Sequence, residues 1–214
     1  MATAEITDIQ FFDKNDKIYG LTYGQWTVKW WDWIMPFPAA DSPLNDKTGA
    51  QWKKNQPSSD VWFLIGDFAE DPKKKRRYTR VINDMDSGRS VLIPVLNCMA
   101  TFLEYGGEPW KLKTHEDLLN HVAVDVSSVV KKDLFINGKR YHPVRVSSDP
   151  KITKTTIIKN NAFAIKNFGI TDAASEGYWA FIKSIKKGHY TIRFEGSCEN
   201  GRLCAGASYE IDVI

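Results

Sequence analysis

Residues that hold metals and carry nucleophilic chemistry are scarce in this chain. Three cysteines and four histidines occur among 214 residues, with no C-x-x-C, H-x-x-x-H or H-E-x-x-H spacing. His115 and His121 stand six apart, which puts them on different faces of a helix, so no metal site is expected. Glycine-rich phosphate loops of the G-x-x-x-x-G-K-[ST] and G-x-G-x-x-G types are missing, as is G-x-S-x-G. Nucleotide cofactors held through such loops are therefore disfavoured, and none of any kind is expected. No run approaches the roughly 18 apolar residues of a membrane-spanning helix. The first ten residues lack the basic and apolar regions of a signal peptide, so the expectation is a cytoplasmic protein, or a secreted one if a signal has been removed. Charge of one sign is also lacking: 29 basic against 26 acidic residues leave a formal +3. That balance does not imply a nucleic-acid partner. The one dense basic run, Lys73 to Arg77, follows Glu70-Asp71-Pro72 and reads as a solvated loop. Internal repeats and low-complexity linkers are absent, and one domain spanning 1–214 is the expectation.

Aromatic rings are plentiful: eight Trp, eight Tyr and eleven Phe. Four of the tryptophans fall between Thr22 and Met35, T-Y-G-Q-W-T-V-K-W-W-D-W-I-M. Thr22 and Gln25 have capping-box spacing, and Pro36 and Pro38 stop what they start. At 100° per residue Tyr23, Trp26, Trp30, Trp33 and Ile34 share one broad face, and Val28, Trp31 and Met35 a second. Gln25, Lys29 and Asp32 remain as a polar stripe. The plain reading is a core helix with one solvated edge. The sharper one has the stripe facing a cleft floored by indole rings, Trp30 and Trp33 among them, that holds a sugar or another flat polar ligand.

The rest of the chain reads as strands. Candidates are 5–12, 60–68, 77–82, 90–96, 143–148, 154–166, 177–184, 188–196 and 207–213, with a hairpin turning at Asn137-Gly138 within 134–141. Thr114 and Asp117 cap a second helix near 114–130. The class is mainly β, an antiparallel β-sandwich or jelly-roll-like domain built against a buried tryptophan helix. Cys98 lies in an apolar run and is expected as a buried thiol. A two-residue turn at Asn200-Gly201 would set Cys198 opposite Leu203, whereas a three-residue loop would set Cys198 opposite Cys204; reduced thiols are favoured.

Few polar positions stand out. Asn97 ends an apolar strand and needs a partner or a ligand. Glu176 precedes Gly177-Tyr178-Trp179. His189, Thr191, Arg193 and Glu195 alternate onto one strand face. Read plainly, that face is solvated; read as chemistry, His189 or Glu176 is an acid/base group titrating near neutrality.

Several motifs together resemble the opening and later blocks of a family of microbial proteins, many of them secreted. They are Y-G-x-W-x-x-x-W-W-x-W (Tyr23 to Trp33), P-L-x-D-x-T-G (Pro43 to Gly49), V-W-F-L-x-G (Val61 to Gly66), G-[KR]-x-[VL]-x-x-P-x-x-N (Gly88 to Asn97), Glu176 to Trp179 and Gly188 to Phe194. The resemblance implies no particular activity. It draws attention to Asp46, Asn97, Glu176 and His189, which are polar positions inside the shared blocks. Gln25 stands where relatives often have glutamate, and their cysteines near Gln51 and Asn83 are missing, which implies one disulfide fewer.

Three functions follow as expectations. The first is a non-catalytic domain binding a small polar ligand, such as a carbohydrate, through Gln25, Lys29, Asp32, Trp30, Trp33, Asp46, Asn97 and Trp179. The second is a hydrolase or isomerase using Glu176 and His189. The third is an assembly protein whose exposed rings join copies into a homo-oligomer. Neither nucleic acid nor a membrane is an expected partner.

Overall fold

A computed structural model describes residues 9–69, 78–148, 154–199 and 203–214. A short ribbon of β1 (Lys17–Ile18) and β2 (Leu21–Thr22) leads into helix α1 (Tyr23–Ile34). The capping box forms in both directions: Gln25 N donates to Thr22 Oγ1 at 3.2 Å and Thr22 N donates to Gln25 Oε1 at 2.8 Å. After a proline-rich loop come β3 (Val61–Phe63), β4 (Asp67–Ala69), β5 (Thr79–Met85) and β6 (Ser90–Thr101). Helices α2 (Phe102–Tyr105) and α3 (His115–Ser127) follow, then β7 (Val129–Ile136), β8 (Lys139–Tyr141), β9 (Val144–Ser147), β10 (Lys154–Ile157), β11 (Gly169–Ile182), β12 (Gly188–Cys198) and β13 (Cys204–Val213).

The strands form two sheets. In the first, β6 lies between β3 and β11, and β9 and β10 pair with successive parts of β11's other edge. In the second, β12 lies between β7 and β13, β8 extends β7, and β4 and β5 share the far edge of β13. Val91, Ile93, Ala180 and Ile182 of the first sheet meet Ile192, Phe194, Tyr209 and Ile211 of the second in one buried layer. Helix α1 covers the outer face of the first sheet. Trp26, Trp30, Trp31 and Trp33 are each at most 6% exposed, and each buried ring removes roughly 150–250 Å² from water. Trp30 meets Trp179 edge-on at 5.7 Å, and Trp26 meets Phe181 at 5.9 Å. Three of the four indoles donate to backbone oxygens: Trp26 to Ile18 O, Trp30 to Leu64 O and Trp33 to Lys54 O, at 2.7, 2.8 and 3.0 Å.

Helix α3 extends the second layer. Leu96, Cys98 and Ala100 alternate onto one face of β6. Leu96 packs with Cys198 and Ala205 of the second sheet, while Cys98 and Ala100 pack with Leu118, Val122 and Val126 of α3.

The structure departs from the strand pattern in four places. The strand expected over 60–68 is two strands in different sheets, because the chain crosses between layers at Leu64 to Gly66. A Cβ on Gly66 would lie 3.1 Å from Phe194 Cε2, so the crossing needs glycine's thin profile. The pairs β3–β6 and β5–β13 are parallel. That is possible because the intervening chain visits the other sheet before returning. The strand expected over 154–166 ends at Ile157, where Asn161 organises a turn: its Nδ2 donates to Ile158 O and Ile165 O, and its Oδ1 accepts from Phe163 N and Ile165 N. Strand β11 begins eight residues before the expected Gly177, at Gly169. Its start, I-T-D-A-A-S, has little hydrophobic signal and is held by pairing to β10 and β6. Of the first expected strand, residues 5–8 fall outside the described residues. Phe12 N donates to Phe181 O at 2.9 Å.

Cys98, Cys198 and Cys204 are all thiols. Cys198 N donates to Leu203 O at 3.0 Å and Ser197 pairs with Cys204, so the two cysteines are offset by one position. The turn itself, residues 200–202, lies outside the described residues.

Candidate functional site

Strand β6 is twelve residues long, and β3 covers only its first turns of ladder. Leu64 N still reaches Leu92 O at 3.0 Å, after which the chain leaves for the second sheet. Pro94, which has no N–H to offer, starts an edge that no strand covers among the described residues. A cavity of about 220 Å³ opens there, walled by Trp30 and Trp31 of α1, Asn97 of β6, Glu104 and Tyr105 of α2, and Asp125 of α3. Phe68, Cys98 and Phe163 complete its sides.

Two nitrogen donors on this wall are buried without an acceptor among the described residues, Trp31 Nε1 and Asn97 Nδ2. Such a group costs about 1–3 kcal/mol when left unpaired. Trp31 is 6% exposed. Its ring lies edge-on to Trp30 at 5.0 Å and tilted against Phe163 at 5.6 Å. Asn97 pairs in register with Gly177, whose missing side chain makes its room: a Cβ there would fall 2.7 Å from Asn97 Cα and 2.5 Å from Leu96 O.

The acidic side of the cavity is electrostatically unusual. Glu104 keeps an open side to solvent. Even so, burial of its carboxyl, opposed by a hydrogen bond with Tyr105, pushes its pKa up to about 7. Tyr105 is raised by burial and then by the charges of Glu104 and Asp125. Burial, followed by the Asp125 charge, holds Cys98 well above the usual thiol range. A thiol so held is a poor nucleophile at neutral pH. Thr101 Oγ1 accepts from Glu104 N at 3.2 Å, and this half of a capping box starts α2.

The polar stripe of α1 leads elsewhere. Lys29 and Asp32 line a separate open groove of about 280 Å³ with Trp33, Phe37 and Asn55. Burial raises the Asp32 carboxyl, opposed by Thr155 and Lys29. Gln25 is spent on the helix cap. Trp30 and Asn97 share the cavity at β6; Trp179 is fully buried beneath α1 and reaches neither space.

The remaining sequence-named residues hold structure. Asp46 Oδ1 accepts from Thr48 N, Thr48 Oγ1 and Gly49 N, and Oδ2 accepts from Gln51 N at 2.8 Å. Burial alone would raise this carboxyl, but these hydrogen bonds outweigh it and lower it. Glu176 is buried and takes Arg145 Nε as its partner; Arg145 Nη2 also donates to Ser127 Oγ at 3.1 Å, tying β11, β9 and α3 together. His189 stands on the solvent face of the second sheet with its Nδ1 2.8 Å from Asp212 Oδ1. Glu176 and His189 are therefore on different sheets and do not converge on one cavity.

Sequence reading singled out neither Trp31 nor Glu104, Tyr105 and Asp125 as site residues. Glu104 did have a signal, since T-F-L-E from Thr101 to Glu104 is the Thr-x-x-Glu spacing of a helix start. Asp125 and Trp31 had none that separates them from ordinary helix residues.

No family model, curated protein or solved structure matches this chain. Among the described residues, no helix is long and apolar enough to cross a membrane, and no three His, Cys, Asp or Glu side chains cluster as metal ligands would.

Proposed function

We propose that this protein binds a small ligand in the cavity at the uncovered edge of β6, between α1, α2 and α3. The observation that carries the reading is the cavity itself, lined by Trp30, Trp31, Asn97, Glu104, Tyr105 and Asp125, with Trp31 and Asn97 each carrying a buried N–H that has no acceptor among the described residues. Native interiors rarely leave such groups unpaired, and a ligand oxygen at that wall would satisfy them. The surrounding rings supply apolar contact, and the few polar groups fix orientation, as ligand sites generally do. At about 220 Å³ the cavity is small and suits a compact metabolite, such as a single sugar ring or a short-chain polar molecule. A thermal-shift screen tests this. A ligand of this site raises Tm progressively with its concentration, and Asn97→Ala removes most of that rise. Unchanged melting across a broad metabolite panel at millimolar concentration would overturn it.

One observation favours a second reading, an acid/base enzyme. Glu104, raised to about 7 by burial, lines the same cavity as Asp125, and a pair of carboxyls in one space is what acid/base chemistry uses. Turnover of a bound compound with a pH limb near neutrality, abolished by Glu104→Gln, supports it. Binding of the same compound without any turnover leaves the first reading.

A further inference from the structure

We infer that the ligand of the β6-edge cavity is a small organic ammonium ion bearing an oxygen, its cationic head held among the rings and carboxyls and its oxygen taken by Trp31 and Asn97. This rests on the binding reading above and names the chemical class of ligand. Five aromatic residues line the space: Trp30, Trp31, Phe68, Tyr105 and Phe163. Ring faces carry negative electrostatic potential and attract cations, most strongly where water is excluded. The charged groups are Glu104 and Asp125, and among the described residues no Lys, Arg or His lines the cavity. An anionic ligand would meet two carboxyls and several aromatic rings with no counter-charge among the described residues, which works against carboxylates and phosphates. The contrast lies in the α1 groove, where Lys29 stands beside Asp32 and no sign of charge is favoured. The two orphaned N–H donors complete the description, because an ammonium head alone would leave them unpaired. An ether, hydroxyl or carbonyl oxygen on the same molecule would be the acceptor they lack.

Proton linkage supports the same assignment. The groups facing the cavity are Glu104 and Tyr105 from α2, Asp125 from α3 and Cys98 from β6, with the His121 ring of α3 tilted against Tyr105 at 4.3 Å. Burial keeps Tyr105 and Cys98 neutral at physiological pH. Burial pushes Glu104 up to about 7. A cation bound beside it favours the ionised form, so binding releases a proton and tightens as pH rises through neutrality.

The experiment is calorimetric titration of the full chain with choline, tetramethylammonium and 3,3-dimethylbutan-1-ol, the uncharged carbon analogue of choline. Choline is expected to bind at least about tenfold more tightly than the neutral alcohol, because only choline carries the charge. It is also expected to bind more tightly than tetramethylammonium, because only choline supplies an oxygen to Trp31 and Asn97. For the unmodified protein, choline affinity should rise about tenfold between pH 6 and pH 8, the change in the ionised fraction of a carboxyl near 7. Glu104→Gln should flatten that rise. If the variant fails to fold, the pH series on the unmodified protein decides. Equal binding of choline and the alcohol, or choline affinity independent of pH, overturns the ammonium assignment and leaves the binding reading intact. No binding by either cation overturns it as well. Melting unchanged by every compound of a broad panel would overturn both.

Discussion

Trp30 and Trp31 are neighbours on α1 with equal burial and opposite circumstances. Trp30 Nε1 donates to Leu64 O at 2.8 Å, while Trp31 Nε1 has no acceptor among the described residues. Substitution by Phe removes a similar volume from each, so the difference between the variants isolates the N–H. Trp30→Phe leaves Leu64 O without its donor, whereas Trp31→Phe deletes a group that is already unpaired. Trp31→Phe should be the less destabilising by about 1 kcal/mol, read from urea unfolding midpoints at constant slope. Equal losses would mean that Trp31 Nε1 finds a partner in the free protein. Gly177 makes a second case. A methyl group there would lie under 3.0 Å from Leu96 O and from both Asn97 Cα and Cβ, and these are strand atoms with little freedom to yield. Gly177→Ala should cost about 1–3 kcal/mol, typical of overpacking a filled site. Because Asn97 moves with the strand, ligand-induced stabilisation should fall too. A variant that melts normally and keeps its ligand response would show that β6 accommodates the shift.

At the scale of elements, the chain's legibility followed how local each signal is. Helix α1 was readable end to end because Thr22, Gln25 and Pro36 mark its limits and its rings mark its faces. Helix α3 was readable to within a few residues; it stops at Ser127 because Val129 is taken into the ladder opposite Cys198. The four-residue α2 had only Thr101 and Glu104 to signal it, and the site's most perturbed carboxyl was missed with it. The loop after α1 shows how a motif residue can be structural. Asp46 gathers the N–H groups of Thr48, Gly49 and Gln51, and Thr48 O then accepts from Val81 N at 2.7 Å, docking the loop on β5. A carboxyl whose folded pKa lies below its unfolded value adds stability above the unfolded value, and that stability fades as pH falls through the folded one. Asp46 is such a group. Asp46→Asn should therefore be less stable than the unmodified protein at neutral pH, by about 1–2 kcal/mol given that one amide oxygen replaces two charged acceptors. The gap should narrow below the ordinary carboxylate range. Denaturant midpoints at pH 7 and pH 3 check this, and a gap that widens in acid would count against it.

Across the whole molecule, the class of fold was legible and the wiring was not. Alternation in Y-T-I-R-F and Y-E-I-D-V reports which faces are buried, but nothing local reports that β3 lies beside β6 or that β5 runs parallel to β13. Those neighbours are set where the chain changes sheets, between Leu64 and Asp67. A buried charged group is anchored at that seam. Arg80 on β5 is 2% exposed; its Nη2 donates to Asp67 Oδ1 of β4, its Nη1 to Ile65 O at 3.2 Å and its Nε to Asp46 O at 2.7 Å. Its guanidinium also lies 5.6 Å from the Tyr209 ring centre, and Tyr209 Oη donates to the same Ile65 O at 2.7 Å. One cation thus joins the first sheet's exit, the two strands β4 and β5 that share β13's outer edge, and the loop leading away from α1. The cavity is walled by the same segment, through Gly66, Phe68 and Leu44. An arginine stays charged in proteins, so removing its carboxylate leaves a buried charge with weaker compensation. Breaking a buried pair from one side costs about 3–5 kcal/mol. Asp67→Ala should lose that much, and Asp67→Asn distinctly less, since the amide oxygen still accepts from the guanidinium. If the pair holds only the local loop, ligand-induced stabilisation will survive in Asp67→Asn at full size. If it sets the distance between the sheets at the cavity mouth, that stabilisation falls together with the melting temperature, and the seam and the site are one mechanical unit.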